Sequence, residues 1–269
     1  MQINQKRRDA VLNKELLAVE KQEKKMQQNA LKAKPAAWKT ELESRIPEKV
    51  YTSLESAFCK GFGVLFEQGR AIIEKGYDKE DIQADHAIRD YAVQLKGGRK
   101  ELKRMHKSAR QSDLMNLAVT TVEGVGLGVL GVGMPDIVLF LGTLLKGVYE
   151  TALNYGFEYE SRQEQLLILK MIQTALTTGE DWTKRNAEVD EMLVLETVGI
   201  TDEDFECQLK ETASAFAVDM LLLKFIQGFP IVGLLGGAAN PVFYSKVMQY
   251  VQLKYRKRYL LKKKDGCWQ

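Results

Sequence analysis

Histidine and cysteine are scarce in this chain. Two histidines, His86 and His106, and three scattered cysteines, Cys59, Cys207 and Cys267, stand among 269 residues. So few ligands, with no CxxC spacing, nearly exclude a Cys/His zinc site, and the odd count argues against a disulfide scaffold. No metal or cofactor is expected. Proline is equally rare, five in all, which suits helices better than a many-turned β-sandwich. Missing too are a P-loop lysine motif and, although Asp85 precedes His86, any Ser, Cys or Asp arrangement with a mechanical reason around either histidine. Residues 1–34 hold no 7–15-residue apolar run before a small-residue cleavage site, so a cytoplasmic location with reduced cysteines is expected.

Apolar residues make up 45% and charged residues 28%, too hydrophobic for a disordered chain and sufficient for a soluble core. The net charge of +3 hides segregation. Residues 1–34 carry nine basic and four acidic groups, and 96–110 seven and one. Residues 158–220 carry five basic and fifteen acidic groups, and 221–269 nine and one. Such blocks are solvated helix faces or surfaces that steer partners.

Spacings of three and four dominate the pattern. Residues 1–35 predict a charged helical arm whose apolar stripe, Val11, Leu12, Leu16 and Val19, is too thin for a core helix; Pro35 closes it. From Pro47, the positions Val50, Leu54, Ala57, Phe58, Gly61, Leu65, Gly69 and Ile72 form a helix of about eight turns ending at Gly76. Asp78 caps the next, with Ile88, Tyr91, Ala92 and Leu95 as its expected buried stripe. Gly97-Gly98 and the basic stretch Arg99–Arg110 follow.

Pro135 opens a helix with Ile137, Leu141, Leu144, Leu145, Val148, Ala152 and Tyr155 on one face, and Gly156 ends it. Gln165–Leu176 is another helix, Met192–Val198 a further one, and Thr201 caps the helix through Phe216 and Met220. The expected fold is all-α: an arm over 1–35, one multi-helix domain over 36–262 with two glycine-rich helix-loop-helix segments, and a tail over 263–269.

Those two segments are built alike. Each has small residues, then Gly-x-x-x-Pro (Gly131 to Pro135, Gly237 to Pro241), then a long amphipathic helix. Gly126-Leu-Gly128-Val-Leu-Gly131 spells GxGxxG. A dinucleotide site would need a helix running through Pro135 and an acid ending a second strand, and neither fits. Close helix packing fits better: Thr120, Gly124 and Gly128 lie at successive fourth positions, and Gly233-x-x-x-Gly237 repeats the pattern. Asp136 is the only charge between Gly124 and Leu145, suited to a helix N-terminus or, alternatively, to a catalytic acid. Phe225–Ser245 is 21 residues without a charge, yet holds two prolines and four glycines. A buried core, a shallow interfacial hairpin and an integral hairpin all stand open.

The C-terminal stretch Lys254-Tyr-Arg256-Lys257-Arg258-Tyr-Leu-Leu-Lys262-Lys263-Lys264 packs seven positive charges into eleven residues. It is expected either to be a solvated face or to lie on an anionic membrane surface, reversibly. No recognition motif for nucleic acid accompanies it.

Together, Gly124-Val-Gly126-Leu-Gly128, Gly131, Gly133-Met-Pro135-Asp136, Tyr155-Gly156-Phe157, Ile231-Val-Gly233, Gly236-Gly237-Ala-Ala-Asn240, Trp38, Ile46-Pro47-Glu-Lys49 and Phe66-Glu-Gln-Gly69 resemble the EcsC family over roughly 36–262. The founding bacterial member is encoded beside an ABC transporter linked to protein secretion. The resemblance implies a non-catalytic accessory or regulatory role at the cytoplasmic membrane face, near a transporter or secretion component, and carries no catalytic residues. The competing expectations are a hydrolase using Asp136 and an integral hairpin protein.

Overall fold

The computed structural model describes residues 2–32, 47–118, 135–195, 199–226 and 239–266. Among these residues every regular element is helical. In order they are α1 (Gln2–Lys32), α2 (Glu48–Val64), a π-type turn (Leu65–Gly69) continued by α3 (Arg70–Glu74), α4 (Lys79–Lys96), α5 (Arg99–Ala118), α6 (Pro135–Asn154), α7 (Arg162–Leu176), α8 (Glu180–Val194), α9 (Asp202–Ile226) and α10 (Ala239–Lys264).

The helix boundaries follow local chemistry. Asp78 accepts from the Asp81 amide at 2.9 Å and Ser161 from the Glu164 amide at 3.1 Å, each satisfying an orphan donor of a first turn. Thr201 and Asp204 cap each other's backbone amides at 3.1 and 2.9 Å, a reciprocal capping box before α9. Gly156, at φ 76°, ends α6, and an added Cβ there would also strike His86. The helix expected over Met192–Val198 instead begins at Glu180 and ends at Val194. Its apolar positions are sparse among charged ones: Trp182, Val189 and Leu193 are the buried residues.

Helix α6 is the centre of the body. Ile137, Val138, Leu141, Leu144, Leu145, Val148 and Ala152 have no exposed surface, and α2, α3, α4, α5 and α10 all pack on it. By length and composition Ile137–Asn154 is apolar enough to cross a membrane, but 83% of it is buried among the other helices, the environment of a core helix. Gly147 makes the close approach of α10 feasible, because a Cβ there would run into Tyr244 and Met248. At one end, Phe216 of α9 lies among Phe58 and Phe62 of α2, Phe140 of α6 and Phe243 of α10, with centroids 5.0–6.5 Å apart.

Three expectations need correction. The arm is part of the body: Leu12, Leu16, Val19 and Ala30 are buried, and α1 packs on α8 and α10. Its stripe is thin because two carboxylates, Glu15 and Glu23, occupy the same face and are buried too. The stripe on α4 is inverted. Ile88, Tyr91 and Leu95 are 69, 61 and 57% exposed, while Asp90 and Val93 face inward. Finally, α10 continues to Lys264, so a tail does not begin at 263.

Phe216→Ala should remove the shared neighbour of four rings and cost about 3–5 kcal/mol. A urea unfolding midpoint unchanged from wild type would show that the cluster does not organise this end.

Candidate functional site

The strongest charge cluster sits on α10, where apolar residues alternate with cations so closely that the helix is buried on every side from Tyr250 to Tyr255. Its cations therefore need partners inside the body. Lys254, with no exposed surface, reaches Glu23 of α1 and, at 2.6 Å, Asp190 of α8. Lys257 lies 2.8 Å from both of the same carboxylates. Arg256 pairs with Glu15 of α1 at 2.5 Å, and Arg99 of α5 takes that carboxylate's other oxygen at 2.9 Å.

Arg258 grips both oxygens of Glu164 on α7 at 2.7 and 2.9 Å, and the Tyr255 hydroxyl donates to Glu164 at 2.7 Å. Lys263, nearly buried, meets Asp90 of α4 at 2.8 Å, where the Tyr259 hydroxyl also donates at 2.6 Å. Five carboxylates from four helices thus neutralise five cations of α10.

The electrostatics agree with that role. Burial alone would raise Glu23, but the charge and hydrogen bond of Lys254, with Lys257, bring it below the ordinary carboxylate range. Burial likewise opposes the ionised form of Asp90, and hydrogen bonds from Lys263 and Tyr259 reverse it to a lowered pKa. Burial pushes His106 down to about 4, helped by Arg256 and Arg110, while its Nδ1 shares a 3.0 Å hydrogen bond with the Tyr155 hydroxyl. Tyr77 and Tyr159 hydrogen-bond at 2.7 Å and Tyr159 donates to Glu74; burial raises both phenols. Each of these groups keeps one ionisation state near neutral pH, a chemistry suited to holding helices together.

The sequence-expected residues are distributed unevenly. Of the proposed contact residues, Lys254 and Lys263 are buried, Arg256, Lys257 and Arg258 are half-buried and ion-paired, and Lys262 is exposed beside the Phe157 ring. Five of the six are paired with carboxylates of the body, and Lys262 is the exception among them. Pro135 opens α6, Asp136 is its second residue, and Pro241 is exposed in the first turn of α10. The Asp136 side chain and Gly124, Gly128, Gly131, Gly233 and Gly237 lie outside the described residues.

What the structure does bring together are three of the helices that border the glycine-rich segments. Phe140 near the start of α6, Phe216 in α9 and Phe243 near the start of α10 share the aromatic cluster. An open cleft of about 930 Å³ between α7, α8 and α9 was not anticipated. It is crossed by the Lys170–Glu188 and Arg185–Glu211 pairs at 2.8 and 3.1 Å. Among the described residues no three His, Cys, Asp or Glu side chains are grouped to hold a metal ion.

Comparison with known protein families places this bundle. The EcsC protein family matches residues 12–260, and the chain belongs to it. That match begins inside α1, consistent with α1 being packed as part of the body. Neither the curated proteins nor the solved structures compared with the chain give a match.

Two outcomes are expected. Lys254→Met leaves Glu23 and Asp190 to share Lys257 alone and should cost about 3 kcal/mol in urea unfolding, a loss that Glu23→Leu in the same chain should partly restore. His106 is held below its unfolded value near 6.5, so its contribution is complete above about pH 6.5 and is lost as pH falls toward 4. Glu23 and Asp90, held low, lose theirs only below their unfolded values near pH 4. Melting temperature should therefore decline from pH 6.5 downward. The upper part of that decline should flatten in His106→Gln; an unaltered slope would remove His106 as its source.

Proposed function

We propose that the chain is a non-catalytic accessory or regulatory protein at the cytoplasmic face of the cell membrane, working with an ABC transporter or a protein-secretion component. The observation that carries this reading is a pair of glycine-rich, largely apolar segments, 119–134 with the single charge Glu123 and 227–238 with none, in an otherwise charge-dense chain. Apolar segments of this kind suit reversible contact with a bilayer or with a membrane-embedded partner. Membership of the EcsC family supports it, as does the use of buried ionisable groups for helix pairing. No cofactor and no specific nucleic acid enters the reading.

The membrane contact is not assigned to the C-terminal cations, because most of them are internally paired. Replacing Arg256, Lys257 and Arg258 together should unfold the protein before it reports on lipid.

Fractionation of native cells, with chemical cross-linking, tests the reading. The protein should be found with membranes, be released by high salt or alkaline carbonate, and cross-link to a transporter or secretion subunit. Retention through both washes would make it integral. An Asp136→Asn chain that folds normally yet loses its cellular phenotype would favour the hydrolase alternative; a tolerated change supports the accessory role.

A further inference from the structure

A row of exposed cations lies on α5. Lys100, Lys103, Arg104 and Lys107 recur at spacings of three, one and three, which places them on one helical face about 10 Å long. All four are exposed, and none has a carboxylate partner among the described residues. The opposite side of α5 is fixed inward by Leu102, Met105 and Ala109, all buried.

On α4 the same division appears with an apolar stripe outside. Ala84, Ile88, Tyr91 and Leu95, spaced four, three and four apart, run along the exposed face for about 16 Å. Val93 and Asp90 hold the other face, Asp90 through Lys263 and Tyr259.

Both outer faces point away from α6, on which the inner faces pack. Helices α4 and α5 are joined only by Gly97-Gly98 and lay their inner faces on the same end of α6. Arg89 of α4 and Ser108 of α5 both donate to the Asn154 side chain at 3.2 Å. His86 of α4 bonds the Asn154 carbonyl at 2.9 Å, and His106 of α5 bonds the neighbouring Tyr155. The start of α1 lies against the turn, with Arg8 donating to the Leu95 carbonyl at 2.9 Å, which sets exposed Lys6 and Arg7 beside it.

We infer that the outward face of the α4–α5 hairpin is the docking surface for an anionic lipid bilayer, with Ile88, Tyr91 and Leu95 entering the headgroup region and Lys100, Lys103, Arg104 and Lys107 meeting lipid phosphates. The inference rests on the membrane-face reading above and gives it a location. An interfacial contact needs apolar burial and opposite charge together, and this face supplies both. A nucleic-acid backbone would match the cations but give Ile88 and Leu95 nothing to pack on. A second copy would cover the stripe but bring two rows of positive charge to the rim of the contact, a repulsive arrangement.

Flotation of the full chain with phosphatidylcholine vesicles, and with the same vesicles containing about a third phosphatidylserine, tests the assignment. Wild type should bind the anionic vesicles at least tenfold more tightly and weaken as salt rises, since screening shortens the reach of charge to about 8 Å at physiological ionic strength. The quadruple change Lys100→Gln, Lys103→Gln, Arg104→Gln and Lys107→Gln should lower that affinity tenfold or more. The triple change Ile88→Ser, Tyr91→Ser and Leu95→Ser should lower it similarly, both with unaltered melting temperature. Lys262→Gln with Lys264→Gln, on the exposed end of α10, should stay within twofold of wild type.

Leu95→Trp supplies a readout that removes nothing: its added emission should shift to the blue with anionic vesicles alone. Hairpin variants binding like wild type, or an unshifted Leu95→Trp emission, overturn the assignment while leaving the membrane reading standing. Wild type that floats with neither vesicle overturns the membrane reading itself. A serine variant that changes the oligomeric state but not lipid binding makes the stripe a contact between copies and likewise overturns the assignment.

Discussion

Lys254 has no exposed surface, and an ammonium group so placed persists only where carboxylates reach it. That requirement organises the body. Helix α10 threads the bundle with cations on several sides, so neighbours on every side must bring acids: Glu15 and Glu23 from α1, Asp190 from α8, Glu164 from α7 and Asp90 from α4. Apolar packing around α6 supplies the greater part of the burial, but it is indifferent to register. The ion pairs are not, because each carboxylate must end within hydrogen-bonding distance of one or two particular cations. They specify how four helices sit against α10 more than they add to net stability, since desolvation offsets much of the attraction.

The legible parts of the sequence were those whose signal is local. Asp78, Thr201 and Gly156 act within a turn of their own position, and each ends or begins a helix as its chemistry dictates. The face of α6 was equally plain, because a helix buried on most sides leaves little room for misassignment. For α4, periodicity identifies a stripe but cannot say which side faces inward. Ile88, Tyr91 and Leu95 would normally win that competition. They lose it because the opposite face carries Asp90, and Lys263 and Tyr259 on α10 need that carboxylate. A long-range partner 169 and 173 residues away decided the orientation.

Helix α1 misleads for a related reason. Leu12, Leu16 and Val19 make a poor core on their own, and Glu15 and Glu23 look like solvated charges interrupting it. Opposite the cations of α10 they complete the face instead. The composition of the C-terminal stretch marks it as basic but cannot mark it as paired, because net charge over a window says nothing about whether its counter-charges arrive from elsewhere in the chain. A block of nine basic and one acidic group between 221 and 269 is balanced mainly by acids from 15 to 190.

Pairing those charges internally changes what remains for the surface. Once α10 has consumed its carboxylates, the excess positive charge is left on α5 and at the start of α1, while acidic side chains gather around α8 and α9. The molecule is therefore polar in a way its total of +3 conceals. Glu15 sits at the junction of the two regimes, one oxygen on Arg256 in the interior and the other on Arg99 at the head of the exposed row. Through that carboxylate and the Arg8 contact with Leu95, α1 ties the α4–α5 hairpin to α10. Taking α1 away would strip Arg256 of its carboxylate and leave Lys254 and Lys257 to share Asp190. It would also free the turn on which the hairpin's outward face depends. The helix that composition marks as an appendage is the piece that couples the buried charges to the exposed ones.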